Sequence, residues 1–496
     1  MNTSDYLLES GKDEDIAILS DDGQVTYRDL RSATARIIEV LAGQGLGPGD
    51  RVGLLSGNSL FWVAAYLAIL KLGAVAVPLS TLLMPDDIRA NRLFSGCKMT
   101  LLQKRLYGKY EEALNDGGPL IFDDCLNTTP GKAWRDYSID HDFDDRQEAA
   151  LMFTSGTTQK PRAVRVSHHN IQANTQSIIE YLDLSRDERI MVVLPFSYCF
   201  GTSLLHTHLR VGGSLVLHNS FAFPETVLDK METYHCTGFA GVPSTYQTLI
   251  RNSSLPKRKM EHLKKIQQAG GKLPTEQIKE LVDLLPGAQI FIMYGATEAT
   301  ARLSYLPPAM LKNKMSSIGK GIPGVELKVL NEAGEPVQPG EVGEVVAWGE
   351  NIAMGYLDNP EATAEKFVDG AYRTGDLATV DEEDYIYIVD RKADFIKAYG
   401  NRVSSQQVEA CVLELKDIVS AAAVGEPDPL RGEAIVVYVT LRSGSSLTEE
   451  EILSHCRRRL AHHMIPKTIG ILDSMPLSLQ GKVLKSELRK RAASTN

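Results

Sequence analysis

The sequence predicts an α/β protein: a large layered N-terminal domain with parallel-type sheets and a small β-rich subdomain, then a small α+β C-terminal domain. Strand-like and helix-like segments alternate through the first two-thirds of the chain, the signature of layered α/β architecture. Between residues 318 and 348 the texture changes to short strands and turns, as in VELKVLNEAGEPVQPGEVGEVVAWG. Beyond YIYIVDRKADFIKAYG the composition changes again. These two transitions place a boundary near Asp390 and divide the chain into residues 1–390 and 391–496. A chain of 496 residues also favours several cores over one.

Residues 51–56 (RVGLLS) read as a strand, 58–72 as a helix and 74–79 (AVAVPL) as a strand. LFWVAAYLAILKLGAVAVPL is the most apolar run, but Lys71 interrupts it, Gly73 follows and Pro78 ends a β-branched stretch. It therefore reads as a buried helix and a buried strand, not a membrane span. RIMVVLPF and SLVLHNS repeat the strand pattern around a helix over residues 202–209. The β-rich segment from Ile318 to Trp348 suggests a small barrel. In the C-terminal part, Ser404 with Gln407 and Thr448 with Glu451 have capping-box spacing and open two helices around the strand AIVVYVTL.

Composition narrows the function classes. A net charge of −10 argues against nucleic-acid binding, which shows a basic excess. The six cysteines are scattered without a C-x-x-C pair, so neither a zinc site nor a disulfide framework is expected. The N-terminus carries charges where a signal peptide needs an apolar run, and the expected compartment is the cytoplasm. Gly319, Gly321 and Gly324 spell G-x-G-x-x-G. The segment after Gly324 alternates like a strand. The three glycines therefore read as a turn and not as a dinucleotide fingerprint, which needs a helix there.

The chemistry-bearing stretch is TSGTTQKPRAVRVSH, residues 154–168. It lies between two strand-like runs and combines hydroxyls, a glycine, Lys160 and Arg162. Hydroxyls and turn amides donate to phosphate oxygens, and the cations neutralise their charge. Alone, such a loop is more often just a solvated turn.

It has company. The loop resembles the phosphate-binding motif of the adenylate-forming superfamily, which comprises acyl- and aryl-CoA synthetases, adenylation domains of nonribosomal peptide synthetases and beetle luciferases. Further matches keep the family's order along nearly the whole chain: LKLGAVAVPL, LPFSYCFG, GVPSTY, AGGKLP, YGATE, YRTGD, DRKADFIKAYGNRV and LSLQGKVLK. Among the members, stand-alone acyl-CoA synthetase-like ligases are the nearest in organisation.

The resemblance implies ATP-dependent activation of a carboxylic acid as acyl-AMP with release of pyrophosphate, then transfer of the acyl group to a thiol. It implies that Thr154, Ser155, Gly156, Thr157, Thr158 and Lys160 hold the ATP phosphates and that Glu298 ligates Mg²⁺, with Thr297 beside the α-phosphate. Tyr294 and Gly295, with Gly270 and Gly271, would line the adenine site. Asp376 would accept from the ribose hydroxyls, and Arg391 would contact the ribose–phosphate side. Tyr198, Gly201 and Gly241 would border the acyl pocket. Lys482, on the glycine turn QGK, would reach the α-phosphate and carboxylate oxygens from a mobile C-terminal lid. That lid then swings near Arg391, so that Gly400 lines the entry of a pantetheine thiol.

The chain departs from the family at Gln159, Arg162 and Ala163 in the loop, at Ala393 near the pivot, and at Ser197–Tyr198, where Phe–His is common. Amino-acid-activating relatives carry an aspartate in the aromatic motif, whereas residues 194–224 here have no acidic residue. An unpaired substrate ammonium there would be costly, so a fatty, aryl or small organic acid is expected. The thiol acceptor is CoA or a separate acyl or peptidyl carrier protein, for which Arg457–Arg459 and Arg489–Arg491 offer a basic surface. Two readings from other classes share these residues: a luciferase-like oxygenase and a non-catalytic nucleotide- or acyl-binding protein.

Overall fold

The computed structural model describes the chain except residues 116–117, 138–142, 155–160, 392–393, 429–430, 479–480 and 495–496. Two sheets carry the large part of the molecule. One runs, edge to edge, through Lys320–Gly321, Ser304–Leu306, Gln289–Tyr294, Lys265–Gln268, Gly238–Gly241, Arg189–Val192, Ser214–Leu217, Ile16–Ser20 and Gly23–Thr26. Its six central strands, from Gln289–Tyr294 to Ile16–Ser20, are parallel. The other runs through Leu120–Phe122, Met99–Leu102, Arg51–Leu55, Val75–Leu79, Glu148–Phe153 and Ala163–Ser167.

The apolar run that mimics a membrane span supplies the core between them. It splits into the helix Leu60–Lys71 and the strand Val75–Leu79. Ser59 caps the helix by accepting from the Trp62 amide, and every residue from Phe61 to Lys71 is buried. The strand is buried along its whole length and pairs in parallel with Arg51–Leu55. Burying each large apolar side chain contributes about 1.5–3 kcal/mol, which is why this segment folds inward. Lys71 is tolerated because its ammonium pairs with Asp5 at 2.5 Å and lies 4.5 Å from the centre of the Trp134 ring. Among the described residues no helix is long and apolar enough to cross a membrane.

The β-rich segment forms an antiparallel sheet of Val325–Leu330, Gly343–Gly349, Ala371–Val380, Phe367–Val368 and Ile386–Arg391. Among the described residues its ladder stays open, so the expected barrel is corrected to a sheet. Gly319 to Gly324 make a short edge strand and a turn into Val325–Leu330, as the sequence suggests.

Past Arg391 the chain enters a different sheet, built on the long hairpin Ile418–Asp428 and Gly432–Leu441. The Thr448–Glu451 capping box forms. The one expected at Ser404 does not: Ser404 is the N-cap without a side-chain cap bond. Its hydroxyl donates instead to the Val389 carbonyl and to Asp390. Asp390, 1 % exposed, also accepts from the Ser405 amide and hydroxyl, each at 2.8 Å. A carboxylate therefore does the capping, from the end of the preceding sheet. Replacing it leaves buried donors unsatisfied, at about 1–3 kcal/mol for each. Asp390→Ala should speed proteolytic cleavage between residues 391 and 404 by at least tenfold, measured against the intact chain under native conditions.

Candidate active site

The candidate site opens where the parallel strands of the larger sheet end, the usual position for a ligand in such sheets. Strand Gln289–Tyr294 runs into a single 3-10 turn, Thr297–Ala299. Gly295 makes the reversal possible: a Cβ there would sit 1.9 Å from the Ala301 carbonyl oxygen. The Leu303 amide then bonds back to the Tyr294 carbonyl, and the loop presents Tyr294, Thr297 and Glu298 together.

Tyr294 donates its hydroxyl to Asp376 at 2.5 Å. Asp376 and Arg391 are register partners on adjacent strands, and Arg391 Nε reaches the other carboxylate oxygen at 3.2 Å. Burial and the facing Asp376 carboxylate hold the Tyr294 phenol protonated, well above its ordinary range. Asp376 likewise raises the Arg391 guanidinium, whose side chain remains 63 % exposed toward the cleft.

Glu298 accepts from the Tyr356 hydroxyl at 2.8 Å. The Arg162 guanidinium stands 5.0 Å from the centre of the Tyr356 ring. Arg162 thus reaches the same carboxylate region from the loop, consistent with its charge at an atypical motif position. Thr154 and Arg162 close the base of that loop, with the Thr154 amide bonded to the Arg162 carbonyl. Ser155, Gly156, Thr157, Thr158, Gln159 and Lys160, with Ala393, lie outside the described residues.

Lys482 arrives from the C-terminal unit. Ser244 of the large part donates to the Gly481 carbonyl at 2.8 Å, which seats the turn against the helix Pro243–Arg251. The ammonium lies 6.0 Å from the centre of the Tyr198 ring. Gly270, in the left-handed region at φ 86°, lies beside both: a Cβ there would stand 3.3 Å from the Tyr198 hydroxyl and 3.7 Å from Lys482 Cε. Desolvation and then Arg391 push the lysine below its ordinary value, opposed by Cys199, Asp376 and Glu298. Gly270, Gly271, Tyr294, Asp376, Arg391 and Lys482 border one cleft of about 110 Å³.

Not every expected residue joins it. Gly201 packs against backbone, where a Cβ would fall 2.2 Å from the Pro195 carbonyl oxygen, and Gly241 packs against Thr245 and Tyr246. Gly400 is exposed, on the turn joining Ile396–Ala398 to Asn401–Val403. Tyr356, Ser244 and Cys199 were not anticipated. Cys199 accepts from the Thr297 hydroxyl at 3.5 Å and borders a small interior cavity with Thr202, Ser203, His206, Thr300 and Ala301. No spacing in the sequence ties these residues to the loops they meet.

Residues 9–357 match the AMP-binding enzyme family, and residues 407–482 match the AMP-binding enzyme C-terminal domain. The chain belongs to the AMP-binding enzyme family. A feruloyl-CoA synthase of Amycolatopsis sp is 31% identical to it over 471 residues, covering 94% of each chain. ATP-bound MatB from Rhodopseudomonas palustris superposes with a TM-score of 0.89 at 25% identity, covering 99% of this chain and 98% of that one. The o-succinylbenzoate coenzyme A synthetase MenE from Bacillus subtilis, in complex with ATP and magnesium ion, gives 0.86 at 27% identity, covering 98% and 99%. The protein is an AMP-forming acid–CoA ligase of the adenylate-forming superfamily, working through an acyl-AMP.

The cleft of this AMP-binding enzyme places a lysine near an arginine, and the alkaline arm of kcat/KM reports free-enzyme groups. That arm should fall with an apparent pKa below 10.5. Arg391→Met should move it upward, because the neighbouring positive charge no longer disfavours protonation. A pH–rate series on the two proteins checks this.

Proposed function

We propose that the ligase activates a non-amino carboxylic acid, with Lys482 as the cation at the reacting centre, and passes the acyl group to CoA. The convergence of Lys482 with Tyr294, Asp376 and Arg391 on one cleft carries this reading. The carboxylate oxygen attacks the α-phosphorus of ATP, the bond to the bridging oxygen breaks, and pyrophosphate leaves. Negative charge builds on the α-phosphoryl oxygens, and the Lys482 ammonium and the Thr297 hydroxyl are the donors within this loop cluster able to meet it. The thiol sulfur then attacks the acyl carbon and AMP departs.

Asp376 binds the ribose hydroxyls in this scheme, Arg391 the ribose–phosphate side, and Tyr294 the adenine face. Thr154, with Ser155, Gly156, Thr157, Thr158 and Lys160, holds the β- and γ-phosphates. Glu298 suits a hard cation: it is a carboxylate fixed by Tyr356, in a set of oxygen donors. Bound Mg²⁺ there supplies charge neutralisation for the departing pyrophosphate.

Residues 391–496 act as the lid in this scheme and residues 1–390 as the body. Rotation after adenylation withdraws Lys482 and brings the Gly400 turn toward the thiol entry. The interior cavity beside Cys199 has no acidic side chain along its described wall, which supports an acid without an ammonium group. The compartment proposed is the cytoplasm.

Lys482→Ala should lower carboxylate-dependent ATP–pyrophosphate exchange by about 100- to 1,000-fold. Thioester formation from preformed acyl-AMP and CoA should stay within about threefold of the parent. Exchange that survives the substitution rules out the role given to Lys482. Transfer to a carrier protein with CoA inert would reassign the acceptor.

A further inference from the structure

Arg302 is 1 % exposed, and its Nε and Nη2 have no hydrogen-bond partner. Other deeply buried basic side chains have a counter-charge or oxygen acceptors, although Arg31 and Arg251 also leave Nε without a partner. Arg31 pairs with Asp13 and two carbonyls, Lys71 with Asp5, and Arg251 with Glu280. Lys265 pairs with Glu188, while Arg92 donates to Thr100 and to the Ala113 carbonyl. Among the described residues no carboxylate lies within ion-pair distance of Arg302; its neighbours are the Tyr181 phenol and the face of Phe200, 4.0 Å from guanidinium carbon to ring centre. A guanidinium cannot escape this by losing its proton, and a buried cation without a counter-charge is destabilising.

Its position supplies a reason. Arg302 directly follows Thr300 and Ala301, which line the interior cavity, and Phe200 directly follows Cys199, which lines it too. The charge is felt by the Tyr198 hydroxyl and the Cys199 thiol, both raised chiefly by burial and drawn back down in part by Arg302. Cys199 in turn touches Thr297, so the cation lies on the acyl side of the reacting centre.

Resting on the ligase reading above, we propose that Arg302 is a specificity-determining residue that pairs with a second carboxylate on the substrate, making the preferred substrate a dicarboxylic acid. One carboxylate is presented to Lys482 and ATP. The other meets the Arg302 guanidinium, where a bidentate fork is the strongest arrangement available. Monoacids leave the cation unpaired and bind less well.

The test uses the full-length chain with three probes of equal carbon number: unbranched or benzene dicarboxylic acids, their half-amides, and the corresponding monoacids. Binding is read by thermal shift, and turnover by ATP–pyrophosphate exchange. The diacid should exceed its half-amide and monoacid by at least about 100-fold in kcat/KM. Arg302→Met should reverse that order and should unfold at the parent's temperature or above it, since an unpaired buried charge is gone. Arg302→Lys should retain a weakened diacid preference, and Arg302→Gln serves if the methionine variant does not fold. A parent enzyme that treats diacid and half-amide alike, or a methionine or glutamine variant that keeps the diacid preference, overturns the inference. Exchange confined to monoacids also overturns it while upholding adenylation. Arg302-dependent diacid binding without exchange upholds it and removes the adenylation reading.

Discussion

Asp376 is the carboxylate on which the rest of the site depends. It takes a phenol from the end of a strand of the large sheet and a guanidinium from the last strand before the C-terminal unit. Neither partner could occupy its place alone. Without Asp376, Tyr294 would be a buried hydroxyl lacking its acceptor, and Arg391 would be free to follow solvent. With it, two sheets and the entry to a third structural unit are indexed to one pair of oxygens. The cleft that receives Lys482 is built around that index.

The opposite wall obeys the same logic with different chemistry. The Ala163–Ser167 strand is stitched to residues 354–357 through Arg165 with Gly355, Leu357 with Ala163 and the Val164–Tyr356 bridge. Tyr356 then carries that connection to Glu298. The base of the loop at Thr154 and Arg162 and the Glu298 carboxylate are thereby parts of one connected assembly, though 136 residues separate Arg162 from Glu298 in sequence. Charge at the loop and charge at the carboxylate are balanced locally, through Arg162 and an aromatic face.

Much of the layered fold was legible because it rests on short-range pattern. The helix and strand hidden in residues 60–79 declared themselves through Lys71, Gly73 and Pro78, and Thr448–Glu451 declared its helix. What failed depended on distant partners. Ser404 has the spacing of a capping residue, yet a carboxylate fourteen residues earlier takes its hydroxyl. The structure shows close packing at Gly201 and Gly241, which concerns their backbone and not the acyl-pocket role expected of them. Of the site, Tyr294, Asp376, Arg391 and Lys482 were legible as a motif series, and the structure gathers them. Tyr356, Cys199 and Arg302 were not, since only tertiary contact relates them to the cleft.

The Asp390 contacts have one further meaning. By joining Asp390 to Ser405, fifteen residues on, they turn that stretch of chain into a ring closed by hydrogen bonds alone. Such a ring is a reversible cross-link. Closure entropy grows only slowly with loop length, by about 0.6 kcal/mol per doubling, so a ring of this size closes at modest entropic cost. Opening it breaks no covalent bond. Loss of that one carboxylate's bonds opens the ring, while the strands Ile396–Ala398 and Asn401–Val403 inside it keep their own pairing.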